Sequence, residues 1–182
     1  MKGEGIMQKV SISLRQMQAL GIWERAERPQ TVYHMTPRKN LESIIKDGKI
    51  LTGHDYICWF FEDLAQIPRY IKRTDALKGR TYRDYDGRYH TAPPLVPADT
   101  VVLKLTPRYS EPLYWYREAI PMKEGEAVDE NGEPLTGEAF QGAVEAWKDF
   151  NNMRIAHYDP LKFKQNYEVL ELEEILTQYP IE

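Results

Sequence analysis

The chain has a single cysteine, Cys58, in 182 residues. An internal disulfide and a cysteine-rich metal site are excluded, and a cytosolic setting is the default expectation. No stretch reaches the ~18 uninterrupted apolar residues of a membrane span, so no membrane partner is expected. The opening "MKGEGIMQKVSISLRQMQAL" lacks the apolar core of about 7–15 residues that a signal peptide needs. A strong charge of either sign is missing too. The 24 Lys+Arg and 28 Asp+Glu leave −4, too little by itself to draw the chain to nucleic acid or to a membrane. There is no G-x-G-x-x-G after a strand, no G-x-x-x-x-G-K-[ST], no H-E-x-x-H and no G-x-S-x-G, so the common cofactor and hydrolase classes lose ground. The four histidines, His34, His54, His90 and His157, have no metal-ligand spacing, and no metal site is expected.

What is present is enough for one ordinary domain over 1–182, with 42% hydrophobic residues to build its core. Its charge is uneven: residues 111–182 carry 16 acids and 6 bases, so the first 110 residues are net basic. The basic excess gathers between Arg69 and His90.

Local patterns divide the chain. Leu14–Glu24 has the spacing of an amphipathic helix within an N-terminal segment over 1–30. Thr31–His34 suits a short buried strand. Thr36-Pro37 predicts a helix start, with the hydroxyl capping and the proline at the first position. Leu41, Ile44 and Ile45 form the inward stripe, and Gly48 supplies the left-handed stop. Tyr56–Phe61, "YICWFF", reads as a strand, and Glu62–Arg73 as a helix kinked at Pro68. Lys78–Asp99, rich in Pro, Tyr and Arg, reads as a long surface loop, the kind that serves as a lid or binding segment. Thr100–Leu105, "TVVLKL", is a strand, Pro112–Ile120 another, and Asn131-Gly132 a hairpin signal. Glu138–Asn151 is an amphipathic helix and Tyr167–Leu172 a last strand. Strands and helices without βαβ alternation predict an α+β fold.

The stretch "YHMTPRKNLESIIKDGKIL" (Tyr33–Leu51), followed by an apolar aromatic strand and a helix, resembles the first half of ADP-ribosyltransferase-like folds, particularly the DNA-modifying toxins of the DarT kind. The likeness is closest over residues 31–75. RNA 2'-phosphotransferases share the fold and a similar opening. The resemblance implies two small sheets around a cleft that holds NAD without a Rossmann fingerprint. Residues 31–75 would then be the cleft's first half, 78–99 a basic loop beside it, and 100–182 its second half. A histidine, an aromatic and an acid would come from three strands. His34 matches the first position, flanked by Tyr33 and Thr36, and Trp59 or Phe60 matches the residue stacking on nicotinamide. Glu168 in "NYEVLELEEI" fits the acid best, with Glu118 in "YREAIP" as its rival. Arg38 and Arg80 or Arg83 become candidate diphosphate or acceptor contacts. The segment around Arg80, Arg83 and Tyr85 becomes a substrate-facing lid, where arginine meets phosphate and tyrosine stacks on bases.

The implied activity is transfer of ADP-ribose from NAD, as substrate, to a nucleic acid or protein acceptor, with an inhibitor partner as a further expectation for toxins of this kind. Breaking the N-glycosidic bond develops oxocarbenium-like charge, which a carboxylate stabilises while it holds a ribose hydroxyl. The alternatives are RNA 2'-phosphate transfer to NAD and a non-catalytic nucleotide- or partner-binding module, such as a phage or mobile-element protein.

Overall fold

The computed structural model describes residues 23–52, 57–83, 88–108, 114–119 and 122–182. In chain order the strands and helices are β1 (Trp23–Arg25), β2 (Val32–Pro37), α1 (Leu41–Asp47), β3 (Lys49–Ile50), β4 (Ile57–Phe60), α2 (Gln66–Arg73), β5 (Arg80–Arg83) and β6 (Tyr89–Ala92). They continue with β7 (Thr100–Leu105), β8 (Trp115–Glu118), α3 (Gly137–Asn151), β9 (Ile155–Tyr158), β10 (Leu161–Lys162), β11 (Glu168–Glu171) and α4 (Leu172–Gln178). The fold is mixed α+β, with several small antiparallel sheets and four α-helices among the described residues.

Two sheets dominate. One has the order β11-β7-β2 and the other β1-β8-β9-β4, while β3 pairs β10 and β5 pairs β6. The continuously apolar "TVVLKL" is explained by its central place, because both faces of β7 are covered. Leu103 and Leu105 point into a core with Val32, Phe60, Trp115, Ile155 and Leu161. Val102, on the alternate face, meets Ile67, Ile71, Leu172 and Ile175 from α2 and α4. Val101, Val102 and Leu103 are all fully buried.

Several expectations are corrected by the structure. The strand expected at Thr31–His34 runs on to Pro37, paired with β7 from Val32↔Leu105 to Pro37↔Thr100, so His34 sits inside a strand and not at its end. Pro37 is extended (φ −56°, ψ 137°) and closes the strand, where a missing N–H costs no ladder bond. Thr36 does not cap the helix: a 3-10 turn at Arg38–Asn40 intervenes, and Thr36 Oγ1 accepts from Asn40 Nδ2 at 3.3 Å. Gly48 does end α1 in the left-handed region (φ 63°). Helix α2 begins at Gln66, after a turn in which Asp63 Oδ1 accepts from the Ala65 amide at 2.9 Å. Pro68 falls in its first turn, where the lost N–H has no intrahelical partner, and so no kink follows.

The expected loop at Lys78–Asp99 contains a hairpin, with Arg80↔Ala92 and Arg83↔Tyr89 in register. Its prolines lie beyond the paired residues. Asn131-Gly132 does turn the chain: Asp129 Oδ1 accepts from the amides of Asn131 and Glu133, but pairing stops at one bridge, Val128↔Pro134. Of the predicted Leu14–Glu24 helix, Trp23 and Glu24 belong to β1 and the remainder lies outside the described residues. Pro112–Ile120 is described over Tyr114–Ala119, with the strand at Trp115–Glu118. The last strand is Glu168–Glu171, after which Leu172 and Ile175, one turn apart and both buried, open a helix.

Candidate functional site

Beyond the shared core, a backbone bridge joins the two main sheets among the described residues. Tyr33 and Phe61 exchange backbone hydrogen bonds of 2.8 and 2.9 Å between β2 and the end of β4. One residue along, the His34 ring crosses the same junction, with Nδ1 3.2 Å from the Trp59 carbonyl oxygen. A carbonyl only accepts, so Nδ1 carries the proton, and in the neutral ring Nε2 is left as an acceptor. Burial pushes the imidazole below its ordinary 6.5, and the bond to Trp59 pulls partly back. The ring lies 5.5 Å from Phe60. Strand alternation turns the Trp59 side chain to the opposite face of β4, where it packs with Trp23 at 5.6 Å between centroids. Of the two aromatic candidates, the structure therefore brings Phe60 to His34 and sends Trp59 away from it.

Neither acidic candidate is brought onto His34. Glu168 pairs with Lys104, and Lys104 with Tyr33, so its side chain shares Tyr33's face of the sheet. It is two strand spacings, about 10 Å, from β2. The Glu168 carboxylate stands 3.8 Å from the Lys104 amine at the surface. Glu118 ends β8 opposite Trp23, with β9 between β8 and β4.

Three other expected residues do gather. A groove of about 770 Å³ is lined by Thr36 and Arg38 at the end of β2, by Tyr70, by Arg80 at the base of the hairpin, and by Asp99. Arg38 is held there by Glu171, its strongest partner, and by the Ala98 carbonyl at 3.2 Å. The guanidinium in turn keeps the Glu171 carboxyl below its usual range. Arg80 Nη2 donates to the Tyr70 hydroxyl at 2.7 Å. Arg83 has its backbone in β5, and Tyr85 lies outside the described residues.

Two residues that sequence reasoning missed join these pieces. Arg154, just before β9, has its guanidinium carbon 4.0 Å from the Trp59 ring centroid and 4.6 Å from that of Tyr70. Tyr70 thus carries Arg154 on its ring and Arg80 at its hydroxyl. The face of Trp59 is accordingly occupied by a cation, and an oxidised nicotinamide, itself cationic, would have to displace Arg154 to stack there. In "NNMRIAHY" nothing local marks Arg154; only the register Phe60↔Ile155 brings it beside β4. Among the described residues, no His/Cys/Asp/Glu cluster of three suits a metal, and no helix is long and apolar enough to cross a membrane. Against this geometry, no family model, no curated protein and no solved structure matches the chain.

Proposed function

We propose that the chain has an ADP-ribosyltransferase-like fold and transfers ADP-ribose from NAD to a macromolecular acceptor, nucleic acid or protein. The observation that carries this reading is the tethered His34 beside the backbone bridge between two small antiparallel sheets. That is the setting the resemblance gives to the histidine that positions NAD. A neutral ring with Nδ1 engaged offers Nε2 to a ribose hydroxyl. Departure of nicotinamide needs orientation more than strong acid catalysis, because the leaving group already bears positive charge. The groove's Arg38 and Arg80 suit the diphosphate, and Phe60, not Trp59, is the aromatic beside His34.

A second reading, RNA 2'-phosphate transfer to NAD, is favoured by a separate observation: the groove and its border supply Arg38, Arg80 and Arg154, while Glu168 and Glu118 stay off His34. A phosphate acceptor is already ionised, so arginines rather than a carboxylate base answer its needs.

Nicotinamide release from NAD tests both. It is followed with DNA, RNA, 2'-phosphorylated RNA and protein as acceptors, for the wild type and for His34→Ala. Release that depends on His34 and leaves ADP-ribose on an acceptor supports the first reading. Loss of an internal 2'-phosphate only when NAD is present moves the assignment to the second. Absence of NAD binding by calorimetry sinks both.

A further inference from the structure

Several of the described arginines find oxygen partners. Arg38 pairs with Glu171, Arg69 with Asp149, and Arg117 with Glu62; Arg28 donates to the carbonyls of Pro107 and Arg108. Arg154 is different. It is half-buried, and among the described residues its charge meets ring faces only, those of Trp59 at 4.0 Å and Tyr70 at 4.6 Å. Neither ring supplies a carboxylate or carbonyl oxygen, so the guanidinium's N–H edge is still able to bond. A half-buried cation with that edge unanswered favours an anion of matching bidentate geometry, which a phosphoryl group has.

The surroundings extend the same preference. Tyr70 is buried and lines the 770 Å³ groove. The Arg80 guanidinium carbon lies 5.5 Å from the Tyr70 centroid, and its Nη2 bonds the hydroxyl. Two guanidinium groups from distant parts of the chain thus converge on one tyrosine at the groove's edge. Phe61 and Phe150 pack on the same ring and hold it in place.

We propose that Arg154, clamped between Trp59 and Tyr70 and joined through Tyr70 to Arg80, is a docking site for a phosphoryl oxyanion of a nucleotide. Two sources share that chemistry: the diphosphate of a dinucleotide and a 2'-phosphomonoester. The inference deepens the proposed function by placing a substrate phosphate, yet phosphoryl binding stands without any transfer reaction.

Calorimetric titration with inorganic pyrophosphate, adenosine 2'-monophosphate and uncharged adenosine decides it. The wild type is expected to bind at least one of the two anions, more weakly as salt rises, and adenosine poorly. Arg154→Gln should weaken the anion by about tenfold or more, and Arg80→Gln by several-fold. Arg154→Lys keeps the charge but loses the fork; it should fall between wild type and Arg154→Gln, and it carries the test with Arg80→Gln if Arg154→Gln does not fold. Tighter pyrophosphate identifies the dinucleotide source, and tighter 2'-monophosphate the phosphomonoester. Anion affinities unchanged in all the folded variants, or adenosine binding as tightly as the anions, overturn the proposal. Arg154-dependent pyrophosphate binding without nicotinamide release by the wild type keeps this site and removes the transfer reading. Nicotinamide release by Arg154→Gln with unchanged KM for NAD and for acceptor does the reverse.

Discussion

Burial holds the protons of two described histidines, His34 and His157, less tightly than an exposed ring would. Both are pushed below their ordinary 6.5, first by burial, and each has Nδ1 on a backbone carbonyl, that of Trp59 at 3.2 Å and that of Asp159 at 2.8 Å. The unfolded chain therefore takes up a proton at a pH where the folded ring still resists it. Stability is full above the unfolded value and is lost as pH falls through it. The melting temperature is expected to decline between about pH 7.5 and pH 5.5, a window above that in which carboxylates titrate. Replacing His157, 3% exposed, with Gln should flatten this slope whatever it does to the absolute stability. A slope identical to wild type, measured by calorimetry across the same buffers, would show that these rings do not control it.

At the scale of the element, glycines separate two kinds of constraint. Gly48 stops α1 at φ 63° with open space around an added Cβ, whereas Gly79 precedes the hairpin at φ 80°, where a Cβ would meet the Ala92 carbonyl oxygen at 3.1 Å. Gly48→Ala carries conformational strain alone, about 1 kcal/mol. Gly79→Ala adds a tight contact with neighbouring backbone, which has to give by a few tenths of an ångström, and should cost about 2–3 kcal/mol. Urea unfolding of both variants checks the order, and an equal or reversed cost contradicts it. The same contrast explains what the sequence made legible. The Gly48 stop, the β7 run and the α3 stripe follow from local chemistry, and all three stand in the structure. The hairpin was hidden because Tyr and Arg alternating between prolines resemble a solvated loop. Helix α4 was hidden because its first apolar residues look like the continuation of a strand. At the candidate site, His34 could be singled out from its neighbours in sequence. Arg154 and Tyr70 could not, since their meeting depends on β9 lying against β4 and on α2 folding back over that edge, both long-range events.

Across the whole molecule, stability should be layered from the center of the β11-β7-β2 sheet outward. Strand β7 is paired on both edges, Val101, Val102 and Leu103 are fully buried, and Leu103 packs into one core and Val102 into the other. Its amides open only when those cores are lost, so their exchange should report global unfolding. The β5–β6 pair is the opposite case. It is a two-stranded sheet on its own, Tyr89 is 74% exposed, and an isolated hairpin is marginal in water. Among its ties to the body is Arg80 on Tyr70, and just beyond the pair the Leu95 amide bonds the Ala76 carbonyl at 2.8 Å. Hydrogen exchange followed by mass spectrometry should therefore find peptides covering 80–92 exchanging orders of magnitude faster than those covering 100–105. A phosphoryl ligand that engages Arg80 adds a further tie at the hairpin's base, so saturating pyrophosphate should slow exchange in 80–92 while leaving 100–105 unchanged. Equal protection of the two segments without ligand would mean that the hairpin is part of the global cooperative unit. Slowing confined to 100–105 would mean that the anion binds elsewhere.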